Sequence, residues 1–326
     1  MTAKSLIWNF STGWYEHVPI IYRWYEHSIK KDVLKYPVPG HVAIIQDGNR
    51  RWAKKIGEPA EQGHKHGADT TENVLNWCDE MGIKQLTLYA FSTENFKRPE
   101  HEKQALFDLF KDYFKRAREN EDTHKKKLRI RSVGDISLMP QDVKDEITLT
   151  EEATSGYDGF YLNIAIAYGG RREIVDSARK IAKEVMDGTL LPENITEDMV
   201  GDYLYFGDEQ PSRVDLIIRT GGDERTSNFL PWQASGNECA IYIFAPYWPE
   251  FRKIDLLRAI RAYQIREREH SIKLAINMLK MKRQNGSVKI DEFKDSLSSV
   301  LKISQYEAEA IIDNPLVQKE LAKALN

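Results

Sequence analysis

The segment His41-Val42-Ala43-Ile44-Ile45-Gln46 runs without interruption into Asp47-Gly48-Asn49-Arg50-Arg51-Trp52, and this junction decides the fold. A short apolar run closed by an acid and a glycine, followed at once by helix-forming residues, reads as a buried strand feeding a helix N-terminus. In open α/β sheets, ligands sit at the carboxyl ends of strands, and a helix start after glycine offers unpaired N–H groups to an anion.

Outward from this strand, apolar runs near 85–91, 128–133, 160–168, 214–219 and 239–245 alternate with helical patterns. That rhythm specifies an α/β fold with a six-stranded, mainly parallel sheet flanked by helices. Val74, Cys78 and Met81 recur at helical spacing before Gly82, and Leu106, Phe110, Tyr113 and Ala117 do so before a basic stretch. Phe107, Leu109 and Phe114 widen the apolar face of the second helix, which suits ordinary core or the wall of an apolar tunnel. Lys125 to Lys127, with Arg129 and Arg131, read as a solvated helix end and strand edge.

Residues 1–39 form an aromatic arm in which Trp14-Tyr15-Glu16-His17 recurs as Trp24-Tyr25-Glu26-His27. It reads as an amphipathic helix, either packed on the body or anchored at a membrane interface, where tryptophan and tyrosine beside basic residues are at home. Residues 40–270 hold the strand and helix alternation. A long charged helix over 253–283 is broken at Asn285-Gly286, and 271–326 form a helical extension.

Composition bounds the function. A net charge of -3 with 30% charged residues provides no global basic field for nucleic acid, so any anion site is local. Cys78 and Cys239, without paired spacing, support neither a disulfide framework nor a zinc cluster, and a reducing cytoplasm fits. No run of about 18 apolar residues exists and the N-terminus lacks a signal-peptide pattern, so the chain is expected not to span a membrane.

Three strand ends carry the candidate chemistry. At the first, Asp47 either caps the following helix or, beside Arg50 and Arg51, holds Mg²⁺ on phosphate oxygens. The second ends in Ser92-Thr93-Glu94-Asn95-Phe96-Lys97-Arg98, bringing hydroxyl, amide and a guanidinium suited to bidentate phosphate binding. The third ends in Arg219-Thr220-Gly221-Gly222-Asp223-Glu224-Arg225-Thr226-Ser227-Asn228, where glycines admit a ligand between two arginines. Phosphate-loop, dinucleotide and nucleophile-elbow motifs are all missing. His64 and His66 flank Lys65 without further ligands, so a metal pair is unsupported and His64 reads as a hydrogen bonder at a helix start.

In order and combination these residues resemble the cis-prenyltransferase family, best known from undecaprenyl diphosphate synthases. The resemblance covers roughly residues 38–268. Its motifs are His41 to Ala53, Gly63-His64-Lys65, Leu86 to Asn95, Tyr168-Gly169-Gly170-Arg171, Asp215 to Gly222, Ser227-Asn228-Phe229 and Trp232-Gln233. It implies an undecaprenyl diphosphate synthase-like fold with an apolar tunnel, and Mg²⁺-dependent condensation of isopentenyl diphosphate with an allylic diphosphate. The product would be a polyprenyl diphosphate, a precursor of lipid glycan carriers. It further implies a homodimer, and a product too apolar for water implies peripheral membrane contact.

By the same resemblance, Asp47 binds Mg²⁺ and Gly48, Asn49, Arg50, Arg51 and Trp52 cradle the allylic diphosphate. His64, Asn95 and Arg98 assist ionisation and proton removal, with Ser92, Thr93, Glu94 and Phe96 at the same edge. Arg219, Arg225, Thr226 and Ser227 hold isopentenyl diphosphate, Glu238 is a second acidic metal ligand, and Glu224 stands where some members place a metal-contacting histidine. Three departures accompany this. Ala60 replaces a diphosphate-contacting arginine, Glu269-His270-Ser271 replaces a C-terminal arginine-x-glycine, and 234–240 is two residues longer than the common form. Arg50, Lys54 or Arg252 compensate, or the acceptor is changed to a second allylic diphosphate or an alcohol. A non-catalytic subunit and a phosphohydrolase with Asp47 as nucleophile complete the alternatives.

Overall fold

The computed structural model describes residues 19–207, 213–234, 239–284, 289–301 and 303–325. The first Trp-Tyr-Glu-His copy and the Asn285-Gly286 break lie outside them; the second copy lies in helix α1 (Pro19–Val33). Next come β1 (His41–Ile45), α2 (Asn49–Ile56), α3 (Ala60–Glu80) and β2 (Gln85–Ser92), then a 3₁₀ turn, Thr93–Lys97. Helices α4 (Glu100–Glu119) and α5 (Glu121–Lys125) lead to β3 (Leu128–Val133), α6 (Gln141–Thr154) and β4 (Phe160–Tyr168). The remainder is α7 (Gly170–Met186), α8 (Glu197–Asp202), β5 (Leu216–Arg219), β6 (Ala240–Ile243), α9 (Lys253–Gln284), α10 (Ile290–Leu301), α11 (Gln305–Ile312) and α12 (Pro315–Leu325).

The six strands form one sheet in the order β3-β4-β2-β1-β5-β6, and every neighbouring pair is parallel. Each expected strand is present: β3 and β4 match their expected bounds, β2 runs one residue further, and β1, β5 and β6 are shorter by one, two and three residues. Central β1 and β5 are buried at every position, the pattern of strands covered on both faces. The chain departs from β1 to β2 on one side and later returns to β5 on the other. That reversal makes the carboxyl end of β1 a crevice between two neighbours.

Side-chain alternation along the strands divides the sheet into two faces. On one, Ala43, Ile45, Val133, Ala165, Ile217 and Tyr168 pack with Phe206, Phe229 and Leu230. On the other, Leu88, Ala90, Leu128, Ile130, Phe160, Leu162 and Ile164 face α3 and α4 and line a cavity. The chain divides into two compact units, 1–260 and 261–326, and the second has a separate core of Ala275, Leu279, Phe293, Leu297, Ile312 and Leu321.

A polar chain crosses the buried sheet. His41 Nδ1 lies 2.9 Å from the Arg213 carbonyl and Nε2 lies 2.7 Å from Thr87 Oγ1, which also accepts from Asn163 Nδ2. Burial pushes the His41 pKa down to about 4, so the unfolded chain, titrating near 6.5, takes the proton first. Stability is therefore lost as pH falls from about 6.5 through about 4, by at most about 3 kcal/mol from this group. Urea midpoints across that interval for the native chain and His41→Gln should differ in slope, the variant losing this part of the pH dependence.

Candidate active site

Asp47 leaves β1 at the crevice, and its carboxylate does not cap α2. The cap position is Gly48, without a side-chain hydrogen bond, so the capping reading of Asp47 is replaced by an ionic one. Its Oδ2 accepts from Arg219 Nη2 at 2.7 Å, and Oδ1 accepts from Arg51 Nη2 at 3.0 Å. The Asp47 carbonyl accepts from Thr220 Oγ1 and the Trp248 amide, fixing the residue between β5 and the turn after β6. Gly48 has φ 108°, and a Cβ there would lie 2.6 Å from Tyr247 Cδ1. Only glycine fits both demands, and the first N–H groups of α2 are left to face the rim without a side-chain cap. Tyr247 also carries the Arg51 guanidinium on its ring, 5.2 Å from the centroid. Trp52 meets His66 edge-on at 4.8 Å.

Among the described residues, the β5 end supplies the most enclosed arginine. Arg219 is 3% exposed. Besides Asp47 it donates from Nη1 to Ser227 Oγ at 2.7 Å and to the Arg225 carbonyl, and from Nη2 to Asp223 Oδ2 at 3.0 Å. Its Nε has no partner among the described residues. Ser227 takes φ 49° and Asn228 φ 59°, a left-handed kink that turns the loop back so that Ser227 meets Arg219. Arg225 is exposed and 3.4 Å from Asp223, Thr226 closes the turn through its carbonyl to the Phe229 amide, and Gly221 takes φ 85° where a Cβ would strike Arg51 Nη2.

At the β2 end, Asn95 Oδ1 accepts from the Ser92 amide at 3.1 Å and so closes the 3₁₀ turn. Thr93 Oγ1 reaches Glu94 Oε2 at 3.3 Å, and Phe96 packs edge-on against Phe91 at 5.0 Å. Arg98 Nη1 donates to Glu102 Oε1 at 2.9 Å. The same buried oxygen lies 3.5 Å from His64 Nε2 and 3.6 Å from Arg50 Nε. Burial, then the Arg98 charge, lowers the His64 pKa, which favours the neutral imidazole. The first two edges meet through Arg50, which stands on α2 three residues after Asp47 and shares the Glu102 carboxylate with Arg98.

Glu102, Asp223 and Tyr247 escaped the sequence reading. Glu102 had a legible signal, standing four residues after Arg98 on a helix opened by Pro99; Tyr247 had none. Glu224 is exposed, with no described contact to Asp47, and Asp223, its neighbour, is the acid that meets the arginines. Glu238 lies outside the described residues. Ala60 opens α3, and among the three candidate substitutes for an arginine there, Arg50 is the one that reaches the His64 and Arg98 group, through Glu102.

Beneath this rim lies a cavity of about 490 Å³. Asn49, His64, Gln46 and Trp248 line its upper part, and Leu106, Leu109, Phe110, Tyr113 and Phe114 of α4 wall it opposite the sheet. A rim carrying Arg51, Arg98 and Arg219 beside a largely apolar hollow is suited to amphiphiles with a phosphorylated head and a hydrocarbon tail, the substrates of the prenyl diphosphate transferase class.

The chain belongs to the family described as putative undecaprenyl diphosphate synthase, whose model matches residues 45–271. It is 48% identical over 261 residues to the tritrans,polycis-undecaprenyl-diphosphate synthase (geranylgeranyl-diphosphate specific) of Methanosarcina mazei, covering 78% of this chain and 88% of that one. The protein of the same description from Archaeoglobus fulgidus is 48% identical over 248 residues, 76% of this chain and 98% of that one. Among solved structures, lavandulyl diphosphate synthase from Lavandula x intermedia, in complex with dimethylallyl diphosphate, superposes with a TM-score of 0.67 at 34% identity, covering 70% of this chain and 95% of that one. A probable undecaprenyl diphosphate synthase from Campylobacter jejuni gives 0.56 at 32%, covering 70% and 96%.

Proposed function

We propose that the protein condenses isopentenyl diphosphate head-to-tail onto an allylic primer, geranylgeranyl diphosphate by analogy with its archaeal relatives, giving a polyprenyl diphosphate with cis double bonds. The observation that carries this reading is that the cavity is lined at one end by Asn49, two residues after the Asp47 that pairs with Arg219, and by His64, which shares Glu102 with Arg98. In each cycle the allylic C–O bond breaks, diphosphate leaves with the electron pair, and the allylic carbon bonds to the isopentenyl double bond. One proton is then lost from the isopentenyl unit. Arg51, Arg98 and the α2 N–H groups face charge that grows on the leaving oxygen, so they stabilise the transition state more than the bound substrate. Arg219, Arg225 and Ser227 hold the acceptor diphosphate. Neutral His64, whose Nε2 has only the Glu102 carboxylate oxygen at 3.5 Å nearby, and Asn95 stand where the proton is passed on.

Among the described residues no three His, Cys, Asp or Glu side chains gather into a metal cage. Asp47, a partly exposed carboxylate facing the diphosphate site, nevertheless fits Mg²⁺, which takes one or two carboxylates and completes its shell with water and substrate phosphate oxygens. Asp47 would hold it, with Glu238 as the second acid, and the ion would add positive charge at the departing diphosphate. The polycis synthase relatives support isopentenyl diphosphate as acceptor over a second allylic diphosphate or an alcohol. Ile241 and Ile243, 52% and 38% exposed on edge strand β6, support a homodimer. A role for the product as a glycan-carrier precursor, and peripheral contact of a cytoplasmic protein with the membrane that takes up so apolar a product, complete the reading; no described helix is long and apolar enough to cross a membrane.

Purified protein incubated with Mg²⁺, labelled isopentenyl diphosphate and geranylgeranyl diphosphate tests the reading. Butanol-extractable polyprenyl product is expected, diphosphate release without labelled lipid would indicate a hydrolase instead, and product formed only with a second protein would indicate a subunit role. Ala90, on the cavity face of β2, gives a second expectation. Ala90→Leu fills space that the growing tail needs, where each five-carbon unit gains roughly 3–4 kcal/mol on burial, so chromatographic sizing should show shorter products.

A further inference from the structure

The loop that brings Ser227 to Arg219 bends against the preference of its own residues. Ser227, Asn228 and Leu230 take φ 49°, 59° and 48°, the left-handed region that residues with a side chain seldom enter. Three such residues within four positions persist only where surrounding contacts hold them. The contacts come from the start of α7. That helix begins at Gly170 after Gly169, which has no side chain to cap it, so its first N–H groups need partners from elsewhere. Asn228 supplies two. Its carbonyl accepts from the Gly170 amide and its Oδ1 from the Arg171 amide, each at 2.9 Å. An asparagine 57 residues away in the chain thus does the work of a helix cap. A Cβ on Gly170 would lie 2.1 Å from Pro231 Cδ and 2.9 Å from the Asn228 carbonyl oxygen, so loop and helix come this close only over bare backbone. On the other flank Tyr89 stacks on Phe229 with centroids 4.4 Å apart, and its hydroxyl reaches the Ser227 carbonyl at 3.5 Å.

We propose that Asn228 is a positioning residue for the acceptor diphosphate: by capping α7 it holds Ser227 in the left-handed turn that keeps the serine hydroxyl on Arg219. This rests on the prenyl-transfer reading above, in which Ser227 and Arg219 receive isopentenyl diphosphate. Asparagine suits the task on two counts. It tolerates positive φ better than most residues with a side chain, and its amide oxygen is a good acceptor for N–H groups at a helix start. Without that bond the loop is free to relax toward ordinary φ values, and the Ser227 hydroxyl leaves the Arg219 Nη1 that it meets at 2.7 Å. The effect falls on acceptor binding and spares the ionisation step at Asp47 and Arg98.

The test uses Asn228→Gly, which accepts φ 59° without strain and removes only the side-chain acceptor, beside Ser227→Ala and the Asn228→Gly/Ser227→Ala pair. Steady-state rates with Mg²⁺, geranylgeranyl diphosphate and labelled isopentenyl diphosphate give kcat and both KM values, and thermal unfolding reports whether each variant is folded. Asn228→Gly is expected to raise KM for isopentenyl diphosphate about tenfold, the equivalent of one hydrogen bond lost, with kcat and the KM for the allylic primer within about threefold of native. The pair is expected to be scarcely worse than Ser227→Ala alone, because both changes break one arrangement. A folded Asn228→Gly variant with native KM for isopentenyl diphosphate overturns the proposal, as does an equal rise in both KM values. Full additivity in the pair overturns the route through Ser227. A variant too unstable to assay also counts against it, since the cap would then serve the whole fold rather than the acceptor. No labelled lipid from the native chain instead overturns prenyl transfer itself, and leaves Asn228 only as the cap of α7.

Discussion

Asp47→Ala is expected to lower kcat by about 10³-fold, at the upper end of what losing one electrostatic stabiliser costs. The carboxylate has two duties that no other described residue shares. It neutralises one side of Arg219 and pairs with Arg51, and it is the strand-end donor proposed for Mg²⁺. Removing it leaves the nearly buried Arg219 guanidinium with Asp223 as its remaining ionic partner, and an unbalanced buried charge is costly. Raising Mg²⁺ should not restore the rate, because the ligand itself is gone. Asp47→Asn keeps the shape but loses the charge and should fall with the alanine variant. Steady-state release of diphosphate at saturating Mg²⁺ is the measurement, and a rate within tenfold of native would remove Asp47 from the chemistry.

Arg219→Lys should be nearly as damaging, lowering kcat/KM for isopentenyl diphosphate by about 10²- to 10³-fold. Arg219 uses both terminal nitrogens at once, with Nη1 toward Ser227 and the Arg225 carbonyl and Nη2 toward Asp47 and Asp223. An ammonium group cannot reproduce that planar fork and would take up water or shift its pKa in so enclosed a place. If Arg219 holds the acceptor, the loss should show mainly in KM for isopentenyl diphosphate, with the KM for the allylic primer less affected. Equal losses for both substrates would show that the guanidinium serves Asp47 rather than the acceptor diphosphate. Ser227→Ala, which removes one of its four partners, should reproduce the direction with a smaller effect.

The strands were legible because their signal is local: Leu216 to Ile218, like Val42 to Ile45, are apolar without interruption and run into polar residues and glycine. The rim was legible for a related reason, since a parallel sheet sets all its strand ends on one edge and the polar motifs follow those ends. The roles of single side chains were less so. Asp47 beside Gly48 looks like a helix cap from neighbours alone. Its actual partner is Arg219, which register brings close because Ile45 pairs with Arg219 across β1 and β5. Glu102 gathers three cationic or titratable side chains from two helices and a loop, and only its spacing from Arg98 is written locally. Tyr247 packs on Gly48 from two hundred residues away in the chain, a contact that exists only after β6 is in place. Asp223, which meets Arg219 and Arg225 in the loop after β5, carries no local mark that sets it apart from its neighbour Glu224.

The strand order has a consequence for biosynthesis. Asp47 and its closest cationic partner are separated by 172 residues, and the strand that carries that partner docks on the flank of β1 left open by the earlier strands. As the polypeptide emerges from the ribosome, β1 to β4 can assemble first, with one flank of β1 an unsatisfied hydrogen-bonding ladder inviting contact with other chains. That flank closes only when β5 has been made, and the surroundings of Asp47 are complete only when translation passes Trp248, whose amide donates to the Asp47 carbonyl. A nascent fragment stalled before that point would be both catalytically inert and prone to aggregate, and distant pairings of this kind slow folding. Protection of the unfinished sheet, by a chaperone or by quick completion of the chain, is thus a requirement of the topology.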